Sequence, residues 1–379
     1  MPTEALTPRH SDAIAAARVI CIMGIVYVHA WTGATGEILA QQAQSGQSIL
    51  RWAMMEGLGR SAVPLLGLIS GWLVAGSALR RGYGAFVAGK ARAILLPMLA
   101  WNAIAILVIW AAVRAFGIQA PTPHSLEWVA QEMFSLTRAN DINVQMGFLR
   151  DLFLCMLAAP MLVRLPRWAL ALCIVLTAAW VVSQWFFPLL LRPQIALFFL
   201  IGIAGRRAML GERVARWPAA PVVVPFLLLA AFRMWLPTWG MDWMVAHPQM
   251  AAGAELALRL CAAALFWRVA WALAAGRAMP LLRRVEPFMF LMFCCHLILI
   301  WLAGPAIGRL TGPIGSPLWP AYFLVQPLLA LGGAVLLSRT LLAIHPATAA
   351  TLSGGRLRRA PKRGGRASRP APLSSPLTS

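Results

Sequence analysis

The sequence predicts an all-α protein: a polytopic bundle of about ten transmembrane helices with both termini in the cytoplasm. Three observations predict it. Of 379 residues, 60% are hydrophobic and 12% are charged; a soluble domain carries roughly 25% charged residues, so a soluble globule and a disordered chain are both excluded. Ten stretches approach the roughly 20 apolar residues that cross a bilayer, at 13–33, 59–79, 93–114, 147–165, 168–186, 193–205, 219–236, 251–275, 285–304 and 319–342. The basic residues are also unevenly placed. With the N-terminus inside, 21 of the 33 Lys and Arg residues fall in cytoplasmic segments and 5 in outer loops, which is the positive-inside bias. An odd span count would put the basic tail outside, against that bias. Topology thus accounts for most of the formal net charge of +21, and a nucleic-acid partner is not needed to explain it.

The chain divides into a cytoplasmic N-terminal segment (1–12), a membrane domain (13–345) and a basic tail (346–379). The tail is rich in Gly, Pro, Ser and Arg, and its composition predicts disorder. Its bases either reinforce topology or attract anionic membrane lipid, at about 1 kcal/mol each near the surface. The six cysteines all lie in apolar runs without metal-ligand spacing, so neither a disulfide framework nor a metal site is expected. The start of the chain loosely imitates a signal peptide, with Val28-His29-Ala30 as the small-x-small site. Cleavage there would remove His29, so the segment is read as a span.

In the first span, Arg18 and His29 are eleven residues apart. Eleven helical steps end about 20° past three full turns, so both lie on one face, about 16 Å apart along the axis. Arg18 then sits near the cytoplasmic boundary and His29 in the outer half. An ionisable side chain at depth is costly and is a functional candidate. The plainer readings are a snorkelling anchor for Arg18 and an interhelical hydrogen bond for His29. In the second span, Pro64 and the Ser70-Gly71 pair before Trp72 make a kinkable helix with a thin face, open to a ligand or a neighbouring helix. The following loop carries Arg80, Arg81, Lys90 and Arg92, which either bind phosphate or set topology.

The outer connection at about 116–146 is polar, with His124, Glu127, Trp128, Glu132, Arg138, Asn140 and Asp141. At the entry to the fourth span stand Arg150 and Asp151. They can neutralise each other, but adjacent helix positions do not face one another, so separate partners are also expected. A later outer connection carries Trp235, Trp239, Asp242, Trp243 and His247, either an interfacial aromatic belt or a sugar-stacking platform. The ninth span begins near Glu286 and holds His296, a second intramembrane imidazole. The two histidines can share a polar cavity.

Taken in order, these residues resemble the acyltransferase family 3 membrane proteins, which O-acylate cell-surface and secreted glycans. The resemblance rests on Arg18-x10-His29, on Val63-Pro64 with Ser70-Gly71-Trp72, on Lys90-x-Arg92 with Pro97, on Phe148-Leu149-Arg150-Asp151-Leu152, and on the stretch Phe288 to His296. It spans roughly 9–345. Three features depart from the family pattern: Ala15 stands where an Asp is common, Met146-Gly147 replaces a Trp, and only a short tail follows the last helix. The chain therefore looks like a stand-alone form without the extracellular esterase-like domain.

The resemblance implies an acyl-coenzyme A donor, acetyl-CoA by default and succinyl as an option, with no metal. It implies a glycan hydroxyl, free or lipid-linked, as acceptor, and a bacterial inner (cytoplasmic) membrane location. His29, Arg18 and His296 would form the catalytic group. Arg80, Arg81, Lys90 and Arg92 would bind the donor. Ser70, Trp72, Glu127, Trp128, Arg150 and Asp151 would face the acceptor. Two other classes compete. A transporter or flippase for a lipid-linked glycan could use the same buried Arg and His, but no repeated halves with matched broken helices are visible. A membrane glycosyltransferase would want paired acids near a metal, and the first outer loop offers only Glu37 and Glu56.

Overall fold

The structure is a computed structural model and describes residues 7–34, 36–42 and 44–357. Among these no strand forms, and every expected span is helical. The principal helices are α1 (Pro8–Val28), α2 (Gly46–Ala75), α3 (Tyr83–Phe116), α4 (Leu126–Phe134), α5 (Met146–Leu162), α6 (Arg167–Ser183), α7 (Pro193–Arg207), α8 (Leu210–Arg216), α9 (Ala220–Trp239), α10 (Pro248–Leu273), α11 (Met279–Thr311), α12 (Trp319–Ile344) and α13 (Pro346–Leu352), with two six-residue helices at Gly36–Gln41 and Met241–Ala246. Seven described helices are long and apolar enough to cross a bilayer alone. The other three expected spans are shorter: α5 and α6 have 17 residues each and α7 has 15. Helices α7 and α8 meet at an 88° bend and are long and apolar enough only when taken together, as a broken span or a re-entrant loop. The chain is a multi-pass membrane protein.

Two long helices are not regular. Residues Ala53–Arg60 of α2 and Ala91–Leu95 of α3 take the wider i→i+5 winding. Each widened stretch precedes a proline, Pro64 or Pro97. A proline inside a helix removes one i→i−4 bond and crowds the preceding turn, and a local widening of the winding is a common accommodation. The widened part of α2 carries Glu56 and Arg60, so the irregularity sits where charged groups enter the bundle.

Helix α1 is the centre of the bundle, in contact with α2, α10, α11 and α12. Its small residues Ala13, Ala16 and Ala17 are fully buried, which allows the close approach. Helix α2 also packs extensively against α7. There Gly71 faces the Phe199 backbone and Gly202 faces the Leu68 backbone, and a Cβ at either glycine would overlap the opposing carbonyl. The thin face at Gly71 therefore receives a helix.

The expected tail begins later than residue 346. Pro346–Leu352 is helical, and Leu352 and Leu357 are buried in the main core. The reason is apolar: the tail composition is basic, but α13 packs against α12 and α3, and both leucines join the main hydrophobic cluster. The remaining tail bases, from Arg358 on, lie outside the described residues, as do residues 1–6 of the N-terminal segment.

Candidate active site

His29 caps the C-terminal end of α1, with its backbone N–H on the Val26 carbonyl at 3.1 Å. The chain just beyond it is pinned to α12. Gln326 accepts from the Trp31 N–H at 2.8 Å and donates to the Trp31 carbonyl at 3.2 Å. His296 is buried in the middle of α11. Its Nδ1 lies 2.9 Å from the Phe293 carbonyl and 3.2 Å from the Met292 carbonyl. Carbonyls only accept, so the proton belongs on Nδ1 and the neutral ring keeps a lone pair on Nε2. Among the described residues that Nε2 has no partner. The His29 and His296 ring centres are 5.5 Å apart. The two imidazoles read separately in the sequence thus meet.

A cavity of about 470 Å³ opens beside His29, and Arg60, Gln145, Arg192, Glu255 and Arg259 help to line it. Most of its charge is held in one network. Buried Glu56 accepts from Arg60 and from Arg259 at 2.8 Å each. Arg259 also reaches Glu255 at 3.0 Å and Ser61 Oγ at 3.1 Å, and Arg233 lies 3.3 Å from Glu255. Arg192 is held differently: it donates to the Val144 carbonyl at 3.3 Å, and among the described residues no carboxylate is within ion-pair distance of it. Nothing in the sequence marks this network. Arg60 and Arg192 read there as loop charges, and Arg259 as one more base within a span.

A second cavity, of about 180 Å³, lies on the Arg18 side. Arg18 donates to Glu286 at 2.8 Å, and Ser70, Lys90, Phe290 and Arg356 also line the cavity. The two cavities share a wall, because Phe148 and Phe293 line both. These rings pack edge to face with centres 5.8 Å apart. One thin aromatic partition therefore separates a cationic pocket around Arg18 from the paired imidazoles.

The remaining expected site residues fall as follows. Of the four bases after α2, Lys90 alone lines the Arg18 cavity; Arg80, Arg81 and Arg92 are exposed. Ser70 and Trp72 are not on the His29 side. Helix α2 runs antiparallel to α1, so its late residues lie near the start of α1. Ser70 lines the Arg18 cavity, and Trp72 stacks on His10 with centres 5.7 Å apart beneath the Arg206 guanidinium.

Glu127 is exposed. Trp128 is buried and donates to Asp141 at 2.7 Å, inside a loop that satisfies itself. Glu132 there accepts the Asp141 and Ile142 N–H groups at 2.5 and 3.1 Å. Burial pushes the Glu132 carboxyl up. Burial also acts to raise Asp141, but hydrogen bonds from Arg138 and Trp128 outweigh it and hold Asp141 below its ordinary range. Arg150 and Asp151 pair directly at 2.7 Å and also take separate partners: Arg150 holds the carbonyls of Leu136, Pro188 and Leu189, and Asp151 accepts the N–H groups of Leu191 and Arg192. Their observed work is to brace the loop that delivers Arg192.

Against known sequences, residues 11–339 match the family described as acyltransferase domain. The chain is 26% identical over 363 residues, 89% of its length, to the succinoglycan biosynthesis protein ExoH of Rhizobium meliloti (strain 1021), of which 90% is covered. No solved structure matches.

Proposed function

Because the chain belongs to this acyltransferase family and is thus an enzyme moving non-aminoacyl groups, we propose that it is a membrane O-acyltransferase drawing on cytoplasmic acyl-CoA. The acceptor is a hydroxyl of an exopolysaccharide or other cell-surface glycan. That substrate class is supported by the printed role of its 26% identical relative in succinoglycan biosynthesis. Acetyl is the default acyl group, and the site is the bacterial cytoplasmic membrane, with both termini inside.

The single observation carrying this reading is the pair of cavities that meet at Phe148 and Phe293. An acyl-CoA is a polyanionic head joined by a long thin arm to a thioester. Arg18 and Lys90 suit the anionic end. The arm, running along the Arg18–His29 face, brings the thioester to the imidazoles. His29 takes the proton of the glycan hydroxyl as its oxygen attacks the thioester carbonyl. The carbon–sulfur bond breaks, an ester bond forms, and the proton passes from His29 to the leaving thiolate. His296 has its Nδ1 proton engaged by backbone carbonyls, so its Nε2 lone pair orients His29 or the hydroxyl by accepting a hydrogen bond from either. A transient acyl-His29 is the two-step variant of the same chemistry.

Membranes containing the protein, given labelled acetyl-CoA and the host polysaccharide, are expected to transfer label to polymer. No transfer from any acyl-CoA despite intact expression would overturn the proposal.

A further inference from the structure

We propose that the segment after the family domain completes the donor pocket, with Arg356 acting as a third phosphate-binding cation beside Arg18 and Lys90. The inference rests on the acyl-CoA reading above. It concerns a residue beyond the matched region, which ends at 339.

The segment is built into the fold. His345 Nδ1 accepts from the Thr348 N–H and Trp101 Nε1 donates to the Leu352 carbonyl at 3.0 Å, so α13 is tied to α3. Ser353 Oγ accepts the Leu357 N–H at 3.0 Å, and Leu352 and Leu357 are buried on either side. Between them Gly354 has φ +59, and a Cβ there would overlap the Ala93 carbonyl. Only glycine takes that turn easily at so close an approach. The turn delivers Arg356 into the Arg18 cavity, its guanidinium 3.8 Å from the centre of the Phe290 ring.

The charge there is unbalanced. Arg18, Lys90 and Arg356 face a single lining carboxylate, Glu286, which is already paired with Arg18. Arg356 bonds the Ser353 carbonyl, and among the described residues no carboxylate is within ion-pair distance of it. Burial and the nearby Arg18 pull its pKa down to about 10, so it stays charged at neutral pH in surroundings that favour an anion. Two surplus cations beside an aromatic face suit phosphate groups. A coenzyme A head offers these, and so does an anionic lipid; the Phe148–Phe293 wall that this cavity shares with the His29 cavity favours the coenzyme.

The test compares acyl-CoA with acyl-pantetheine, which lacks every phosphate, using the full chain in nanodiscs. Arg356→Ala is expected to raise KM for acyl-CoA about tenfold, with kcat within about twofold. Rates with acyl-pantetheine should stay unchanged, and Arg356→Lys should recover part of the loss. Equal loss with both donors, or an unchanged KM, would overturn the assignment. If the wild type transfers no acyl group, the functional proposal fails by itself, and thermal stabilisation by coenzyme A decides the pocket. Stabilisation of the wild type that is lost in Arg356→Ala supports it. No stabilisation of the wild type, or a loss confined to nanodiscs containing phosphatidylglycerol, refutes it.

Discussion

The charged network beside His29 makes a quantitative prediction. Glu56 is fully buried, and Arg259, 3% exposed, is its buried partner at 2.8 Å. Arg259→Met leaves the Glu56 carboxylate with Arg60 alone, whose side chain is 42% exposed. Removing one member of a buried pair costs about 3–5 kcal/mol; the surviving Arg60 contact argues for the low end, about 3. Glu56→Gln strands Arg259 in the same way, although Glu255 still holds it at 3.0 Å, and should cost a similar amount. The double variant buries neither charge uncompensated at this contact. It should therefore lose about 3–4 kcal/mol rather than the sum, a coupling of about 2–3 kcal/mol. At roughly 2 °C per kcal/mol for a chain this large, each single variant should lower Tm by about 6 °C and the double by little more. The assay is thermal unfolding of the purified protein in one detergent at one concentration. Additive losses in the double variant would refute the view that Glu56 and Arg259 act as one unit.

Three further outcomes follow from the packing and from the placement of the loop charges. Gly71→Leu should abolish recovery of folded protein, because the side chain would enter the Phe199 backbone; a normal yield of monodisperse protein in detergent would contradict that contact. Joint replacement of Arg80, Arg81 and Arg92 by Ala should leave KM for acyl-CoA within about twofold, since all three are exposed away from the Arg18 cavity; a tenfold rise in transfer assays would place them in the donor site. Trp128→Phe removes the 2.7 Å bond to Asp141 at a cost of about 1 kcal/mol, so amide exchange in the 135–145 loop should quicken several-fold, and unchanged exchange would show that the bond does not hold the loop.

The spans were legible in the sequence because bilayer thickness imposes a length and an apolarity that composition alone displays. The Arg18–His29 spacing of about three helical turns was legible too, although His29 lies just past the end of α1 and the two side chains line different cavities. Local periodicity cannot show which helices meet. His29 and His296 lie on α1 and α11, and only their packing brings the rings to 5.5 Å. Arg192 reads as a loop base in the sequence, and only the fold shows Asp151 accepting its backbone N–H. Trp72 looked like an acceptor-side aromatic until the antiparallel course of α2 carried it to the opposite end. Arg356 was hidden in a basic, Gly-rich stretch whose composition predicts disorder, and two buried leucines decide otherwise.

The central claim is that His29 carries acyl transfer. The direct measurement is acyl content of the surface polysaccharide by mass spectrometry in a strain lacking the protein, complemented with wild type or with His29→Ala at equal membrane abundance. Loss of a general base costs about 10²–10⁴ in rate, so His29→Ala should leave the polymer unacylated while the wild type restores it. Normal acyl content with His29→Ala would contradict the account.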